Sequence, residues 1–191
     1  MSEENINSLR EELISLLHQK SVRFGEFTLA SGKKSDFYVD ARQSTLHARG
    51  SFLIATLILE RLNPDVVAIG GPVTGAIPIV GAMTLLSSQQ NRNIHGFMVR
   101  KEAKGYGAGN WIEGRENMPN GAKICVVEDT VTTGGSLLKA IQKLEDTGYV
   151  VIQTISVVDR QEGARELIEG AGYSFEALVT REDLEKQRNG Q

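Results

Sequence analysis

The sequence predicts an α/β fold, a mostly parallel central sheet flanked by helices, with a small amino-terminal hood. Three observations carry this. Short apolar, largely β-branched runs, such as Val66-Val67-Ala68-Ile69 and Ile124-Cys125-Val126-Val127, alternate with stretches whose apolar residues recur at three- and four-residue spacing. Both of those runs lead into glycine-rich loops that open helices. The 191-residue length suits one sizeable core and is short for two, so residues 1–191 read as a single domain. Strands and helices alternating at this spacing imply a parallel sheet covered on both faces.

In chain order, Ser8 with Glu11 makes a capping box for a first helix that carries Leu9, Leu13, Leu16 and Leu17 and ends near Lys20. Residues 24–29 and 36–40 read as two extended segments joined by Ser31-Gly32-Lys33-Lys34, a hairpin; residues 1–40 form the hood. Ser44 is positioned to cap a second helix through about Leu62, stopped by Asn63-Pro64. A strand at 66–69, the loop Gly70-Gly71-Pro72-Val73-Thr74-Gly75 and a helix from Ala76 to about Leu86 follow. Residues 95–100 make a third strand, delivering the chain into a polar, glycine-rich stretch at 101–111 that predicts a mobile loop. After the strand at 124–127 and its loop, Leu137, Leu138, Ile141 and Leu144 recur at helical spacing. A strand at 149–158, a helix around 165–169, a strand near 175–179 and a helix opened by Thr180 and Asp183 complete the chain.

Composition narrows the function. With 40% apolar and 24% charged residues the chain is ordinary for a globular protein, and a net charge of -3 argues against a broad nucleic-acid surface. Cys125, the single cysteine, lies inside an apolar run and reads as a buried thiol, which fits a reducing compartment. No apolar run is long enough to span a membrane, and Met1 to Asn5 lacks an apolar signal core; the expectation is a cytoplasmic protein.

The loop Thr130-Val131-Thr132-Thr133-Gly134-Gly135-Ser136 carries the chemistry. Its glycines let backbone N–H groups converge on an anion, the following helix presents its positive end, and Thr132, Thr133 and Ser136 add hydroxyls. No lysine follows the glycines and no GxGxxG opens the helix, so neither an ATPase nor a nicotinamide enzyme is favoured. Glu128 and Asp129 would repel a bare phosphate but accept hydrogen bonds from sugar hydroxyls, so a ribose 5-phosphate satisfies both halves. Taken alone, the loop is also compatible with an ordinary strand-to-helix turn beside a solvated acidic pair.

Four apolar residues, two acids and a Thr/Gly loop in this order resemble the ribose-phosphate signature of the type I phosphoribosyltransferases, which use phosphoribosyl pyrophosphate (PRPP). Phe27-Thr28-Leu29-Ala30-Ser31-Gly32-Lys33-Lys34-Ser35, Arg100-Lys101-Glu102-Ala103-Lys104 and Asp159-Arg160-Gln161 add a likeness to the orotate phosphoribosyltransferases, running from about Phe24 to Arg160. The resemblance implies transfer of the 5-phosphoribosyl group of PRPP to orotate, giving orotidine 5'-monophosphate and pyrophosphate in pyrimidine biosynthesis. It assigns PRPP to Arg100, Lys101, Lys104, Glu128, Asp129, Thr130, Val131, Thr132, Thr133, Gly134, Gly135 and Ser136, and orotate to Thr132 and Arg160, with Lys104 and Asp129 catalytic. Phe37 and Tyr38 would lie near the base ring. It further implies Mg²⁺ held mainly through PRPP with no direct protein ligand, and a homodimer whose lid, 101–111, is shared between subunits.

The chain departs from relatives at three positions: Tyr106 stands where many carry a lid histidine, Ala30 where some carry a lysine before Ser-Gly, and Gly75 where those carry a lysine in the first glycine loop. The rival readings are transfer to a different base, which the loop does not distinguish, and a non-catalytic PRPP sensor that binds nucleic acid. A sensor of that kind calls for a basic face, which the net charge disfavours.

Overall fold

The computed structural model describes residues 1–28, 34–102 and 111–189. Its centre is a six-stranded sheet in the order β5-β4-β3-β6-β7-β8, where β3 is Ala68–Pro72, β4 His95–Val99, β5 Ile112–Glu113, β6 Lys123–Val131, β7 Val150–Asp159 and β8 Phe175–Thr180. All neighbours pair in parallel except β4 and β5, which are antiparallel at one edge. A separate antiparallel pair, β1 (Val22–Thr28) with β2 (Lys34–Val39), is the predicted hairpin, irregular between Phe24 and Phe27. The turn at 29–33 lies outside the described residues.

Strands buried on both faces explain the continuous apolar runs. Along β6 the side chains alternate: Cys125 and Val127 join the core built with α1 (Glu3–Lys20), α3 (Ala48–Arg61) and α4 (Ala76–Gln89). Ile124 and Val126 join the other core, with α5 (Gly135–Glu145) and α6 (Ala164–Gly170). Each Leu or Ile fully removed from water contributes roughly 1.5–3 kcal/mol, so this two-sided burial is what fixes β6 at the middle of the sheet. Among the described residues no helix is long and apolar enough to cross a membrane.

Several boundaries differ from expectation, each for a physical reason. Helix α1 begins at Glu3, capped by Ser2, whose side chain accepts from the Asn5 N–H at 3.4 Å; Ser8 is inside the helix, and Glu3 and Glu4 favour the positive end. Ser44 caps nothing. It is buried within the short α2 (Arg42–Thr45) and shares a 2.7 Å hydrogen bond with Ser21. The helix restarts as α3 behind His47, whose Nδ1 accepts from the Gly50 N–H, because Gly50 is packed so closely on the Ser44 carbonyl that a Cβ would collide with it. Gly70 and Gly71 belong to β3 and not to the loop after it. A side chain on Gly70 would strike the Phe97 carbonyl of β4, and one on Gly71 the Val127 carbonyl of β6. Glu128 and Asp129 likewise lie inside β6, because the β7 ladder continues to Val131 opposite Asp159.

The terminal helix α7 (Arg181–Asn189) opens as predicted: the Thr180 N–H donates to Asp183 at 2.8 Å, and the Asp183 N–H donates to the Thr180 hydroxyl at 3.2 Å.

From β3 the chain moves outward to β4, then returns to the opposite side of β3 as β6 and continues through β7 and β8. The direction reverses between β3 and β6, and a crevice opens beyond the carboxyl ends of strands at such a point.

Candidate active site

Both glycine loops reach this crevice. Gly134 adopts a left-handed backbone, φ 80°, which lets β6 turn sharply into α5 and leaves the first N–H groups of the helix facing outward. A cavity of about 120 Å³ sits against this turn, lined by Thr132, Thr133, Gly134, Gly135 and Ser136. A larger cavity of about 450 Å³ shares Glu128, Thr130 and Ser136 with it and extends to Pro72 at the end of β3, to Val73 of the first loop and to Arg100 and Lys101 beyond β4. The Thr130 hydroxyl lies at this junction, buried, with no hydrogen-bond partner among the described residues. A buried hydroxyl without a partner carries a desolvation cost that a polar ligand would relieve.

The first loop touches the acidic pair directly. A Cβ at Gly75 would lie 2.7 Å from Oε1 of Glu128 and collide with Asp129, so the loop passes over the carboxylates with no room for a side chain in its present course. Burial, and then the neighbouring Asp129, push the Glu128 carboxyl up to about 8. Burial also raises Asp129, opposed by a hydrogen bond from the Thr130 N–H and by the charge of Arg42. Arg42 is held by Asp40 at 2.8 Å. Among the described residues no cluster of three or more His, Cys, Asp or Glu could hold a metal ion by itself, so a Mg²⁺ at this crevice would be held mainly by a ligand's own oxygens.

Arg100 pairs with Glu113 of β5 at 2.7 Å, and its N–H donates to the Trp111 carbonyl at 2.8 Å. Lys101 is exposed beside it. Lys104 and Tyr106 of the predicted lid, and Ala30 of the hood turn, lie outside the described residues.

Arg160 follows β7 and is 7% exposed. It forms a 2.8 Å ion pair with Glu162, and its Nη2 donates to the Phe37 carbonyl at 3.5 Å, with the guanidinium 5.9 Å from the Phe37 ring centroid. The hairpin and the end of β7 thus meet at this arginine. Phe37 is fully buried and belongs to the core, while Tyr38, 39% exposed, presents a face to solvent and stacks at a tilt on Phe27. Cys125 is buried, and burial raises its thiol, as an inert core residue requires.

Sequence reasoning missed four residues at the crevice: Arg42 and its partner Asp40, and Lys139 and Lys143 of α5. The lysines had a readable signal. Ser136, Lys139, Ala140 and Lys143 follow one helical face from the glycine turn.

The chain matches the family model for the phosphoribosyl transferase domain over residues 42–176. Orotate phosphoribosyltransferase from Nostoc sp. is 43% identical over 183 residues, 96% of this chain and 88% of that protein. The one from Thermosynechococcus vestitus is 42% identical over 187 residues, 98% of each. Among solved structures, Mycobacterium tuberculosis H37Rv orotate phosphoribosyltransferase in complex with PRPP superimposes with a TM-score of 0.76 at 36% identity, over 92% of this chain and 98% of that one.

Proposed function

Because the chain belongs to the phosphoribosyl transferase family, and within it to the orotate phosphoribosyltransferases, we propose that the β6–α5 crevice holds PRPP by its ribose phosphate and delivers it to orotate beside Arg160. The reaction is transfer of the 5-phosphoribosyl group from PRPP to orotate, yielding orotidine 5'-monophosphate and pyrophosphate in pyrimidine biosynthesis. The observation that supports the placement best is the junction of the two cavities, where an anion-accepting turn, an acidic pair and an unpartnered Thr130 hydroxyl adjoin.

In this reading the 5-phosphate occupies the turn at Thr132 to Ser136, where N–H groups at the start of α5 and three hydroxyls converge. Glu128 and Asp129 accept hydrogen bonds from the ribose hydroxyls, and Asp129 favours the positive charge that develops on the ring as the bond to pyrophosphate lengthens. Arg100, Lys101 and Lys104 answer the negative charge gathering on the leaving pyrophosphate. Mg²⁺, held mainly through PRPP, would add further neutralisation of the diphosphate. Val131 and Thr130 shape the floor, and Thr132 and Arg160 orient orotate; a planar guanidinium can grip the base's carboxylate with two parallel hydrogen bonds. The attacking ring nitrogen needs no covalent intermediate on the protein, and exclusion of water matters because water competes for the ribosyl cation.

The same reading takes residues 1–191 as one domain with residues 1–40 as a hood over the base, and a cytoplasmic homodimer that shares the 101–111 connection between subunits and binds no nucleic acid.

Arg160→Ala tests the base assignment. The KM for orotate should rise by about tenfold or more while the KM for PRPP changes little, since one charged grip on the base is lost and none on the donor. Unchanged orotate kinetics would remove Arg160 from the base site.

A further inference from the structure

Lys143 is a half-buried lysine of α5 that lines the larger cavity and whose ammonium is engaged by the chain beyond β4. Its Nζ donates to the Arg100 carbonyl at 3.0 Å and to the Lys101 carbonyl at 3.4 Å, and lies 3.6 Å from the centroid of the Trp111 ring. An ammonium has three donors and no acceptor, and two carbonyls and a ring face are partners that suit it. A lysine serving only solubility extends its head into solvent. Here burial, helped by the charge of Lys139, lowers its pKa.

What Lys143 grips is specific. Arg100 and Trp111 already face each other through the 2.8 Å bond from the Arg100 N–H to the Trp111 carbonyl, at the end of the β4–β5 pair. One ammonium therefore fastens both sides of this stem where Arg100 and Lys101 leave it. The same lysine sits on the face of α5 that begins with Ser136 at the phosphate turn, about 10 Å of helix away. Helix α5 is a rigid bar with an anion-accepting turn at one end and the two cations tethered near the other.

We propose that Lys143 is a positioning residue for phosphoribosyl transfer. It fixes Arg100 and Lys101 at a set distance from the turn at Thr132 to Ser136, so that the 5-phosphate and the diphosphate of the donor are gripped at once. This rests on the reading in which those two cations meet the diphosphate.

The test compares wild type with Lys143→Met, which keeps the apolar stem but no charge, and Lys143→Arg, which keeps both donation and stacking. Trp111→Leu, which removes the ring alone, is a milder companion variant. Each is titrated calorimetrically with ribose 5-phosphate and with pyrophosphate in the presence of Mg²⁺, and assayed with PRPP and orotate. Lys143→Met should weaken pyrophosphate and raise the KM for PRPP by about tenfold, while ribose 5-phosphate affinity and the KM for orotate stay within about twofold. Lys143→Arg should restore most of the loss, and Trp111→Leu should give the same pattern at smaller size. Wild-type pyrophosphate affinity in Lys143→Met, or equal loss of both ligands, would overturn the proposal. Arg100→Ala separates the two levels of the argument: if it leaves pyrophosphate binding intact, the assignment of the cations falls and this role with it. If Arg100→Ala abolishes binding and Lys143→Met does not, only the positioning role falls.

Discussion

Replacing Glu128 by Gln should change how stability depends on pH. In the folded chain burial and Asp129 hold the Glu128 carboxyl near 8, against an ordinary value of 4.5. Between those values the folded protein keeps a proton that the unfolded chain releases, so the free energy of unfolding falls as pH rises from 4.5 towards 8 and levels off above it. Carried by Glu128 alone, a rise of this size corresponds to roughly 5 kcal/mol, and to about half that when Asp129 shares the proton. Gln has nearly the same shape and does not titrate, so it leaves packing unchanged and removes the pH-dependent part. At about 2–4 °C per kcal/mol for a chain of this length, the Tm of Glu128→Gln should gain roughly 10 °C on wild type between pH 5 and pH 9. Scanning calorimetry of ligand-free protein at several pH values reads this directly. Parallel Tm curves for the two proteins would refute the argument that the pair is buried and held partly protonated.

Other consequences follow from close contacts and caps. Gly71→Ala places a methyl against the Val127 carbonyl in the middle of the sheet, and should destabilise by about 3 kcal/mol or more in urea denaturation, or prevent soluble expression. Asp183→Ala removes the acceptor for the Thr180 N–H and the ion-pair partner of Arg10, so about 1–2 kcal/mol should be lost with PRPP kinetics unchanged. The Cys125 thiol, buried in β6, should react with a thiol reagent at the rate of global unfolding; fast reaction in the native protein would contradict its place in the core.

The parts of the fold legible in the sequence were those written in local pattern. The runs that became β3, β6, β7 and β8 are apolar because parallel strands are covered on both faces, and the Thr/Gly turn before α5 advertises its own backbone. Contacts distant in sequence were not legible. Gly70 and Gly71 read as loop residues since glycine is depleted in strands, yet they are strand residues because Phe97 and Val127 approach too closely for anything larger. Ser8 and Ser44 looked like caps, but a cap requires a non-helical backbone, which α1 denies to the first and Ser21 and Gly50 deny to the second. Strand β5 has two residues and exists only through β4, so no periodicity could reveal it. At the site, Glu128, Asp129 and the turn were recognisable from residue type and order. The place of Lys143 on the helical face below Ser136 was readable, but its role was not, because that depends on Arg100, Lys101 and Trp111 being brought to α5.

The central claim, transfer from PRPP to orotate, is tested most directly by mixing the purified protein with PRPP, Mg²⁺ and orotate and following the loss of orotate's ultraviolet absorbance. Adenine, hypoxanthine, xanthine and uracil are run in parallel, with products separated by chromatography. The account predicts that orotate alone is consumed, with stoichiometric pyrophosphate and orotidine 5'-monophosphate. Consumption of a different base would contradict the assignment of orotate to Arg160, and PRPP binding without turnover of any base would contradict catalysis itself.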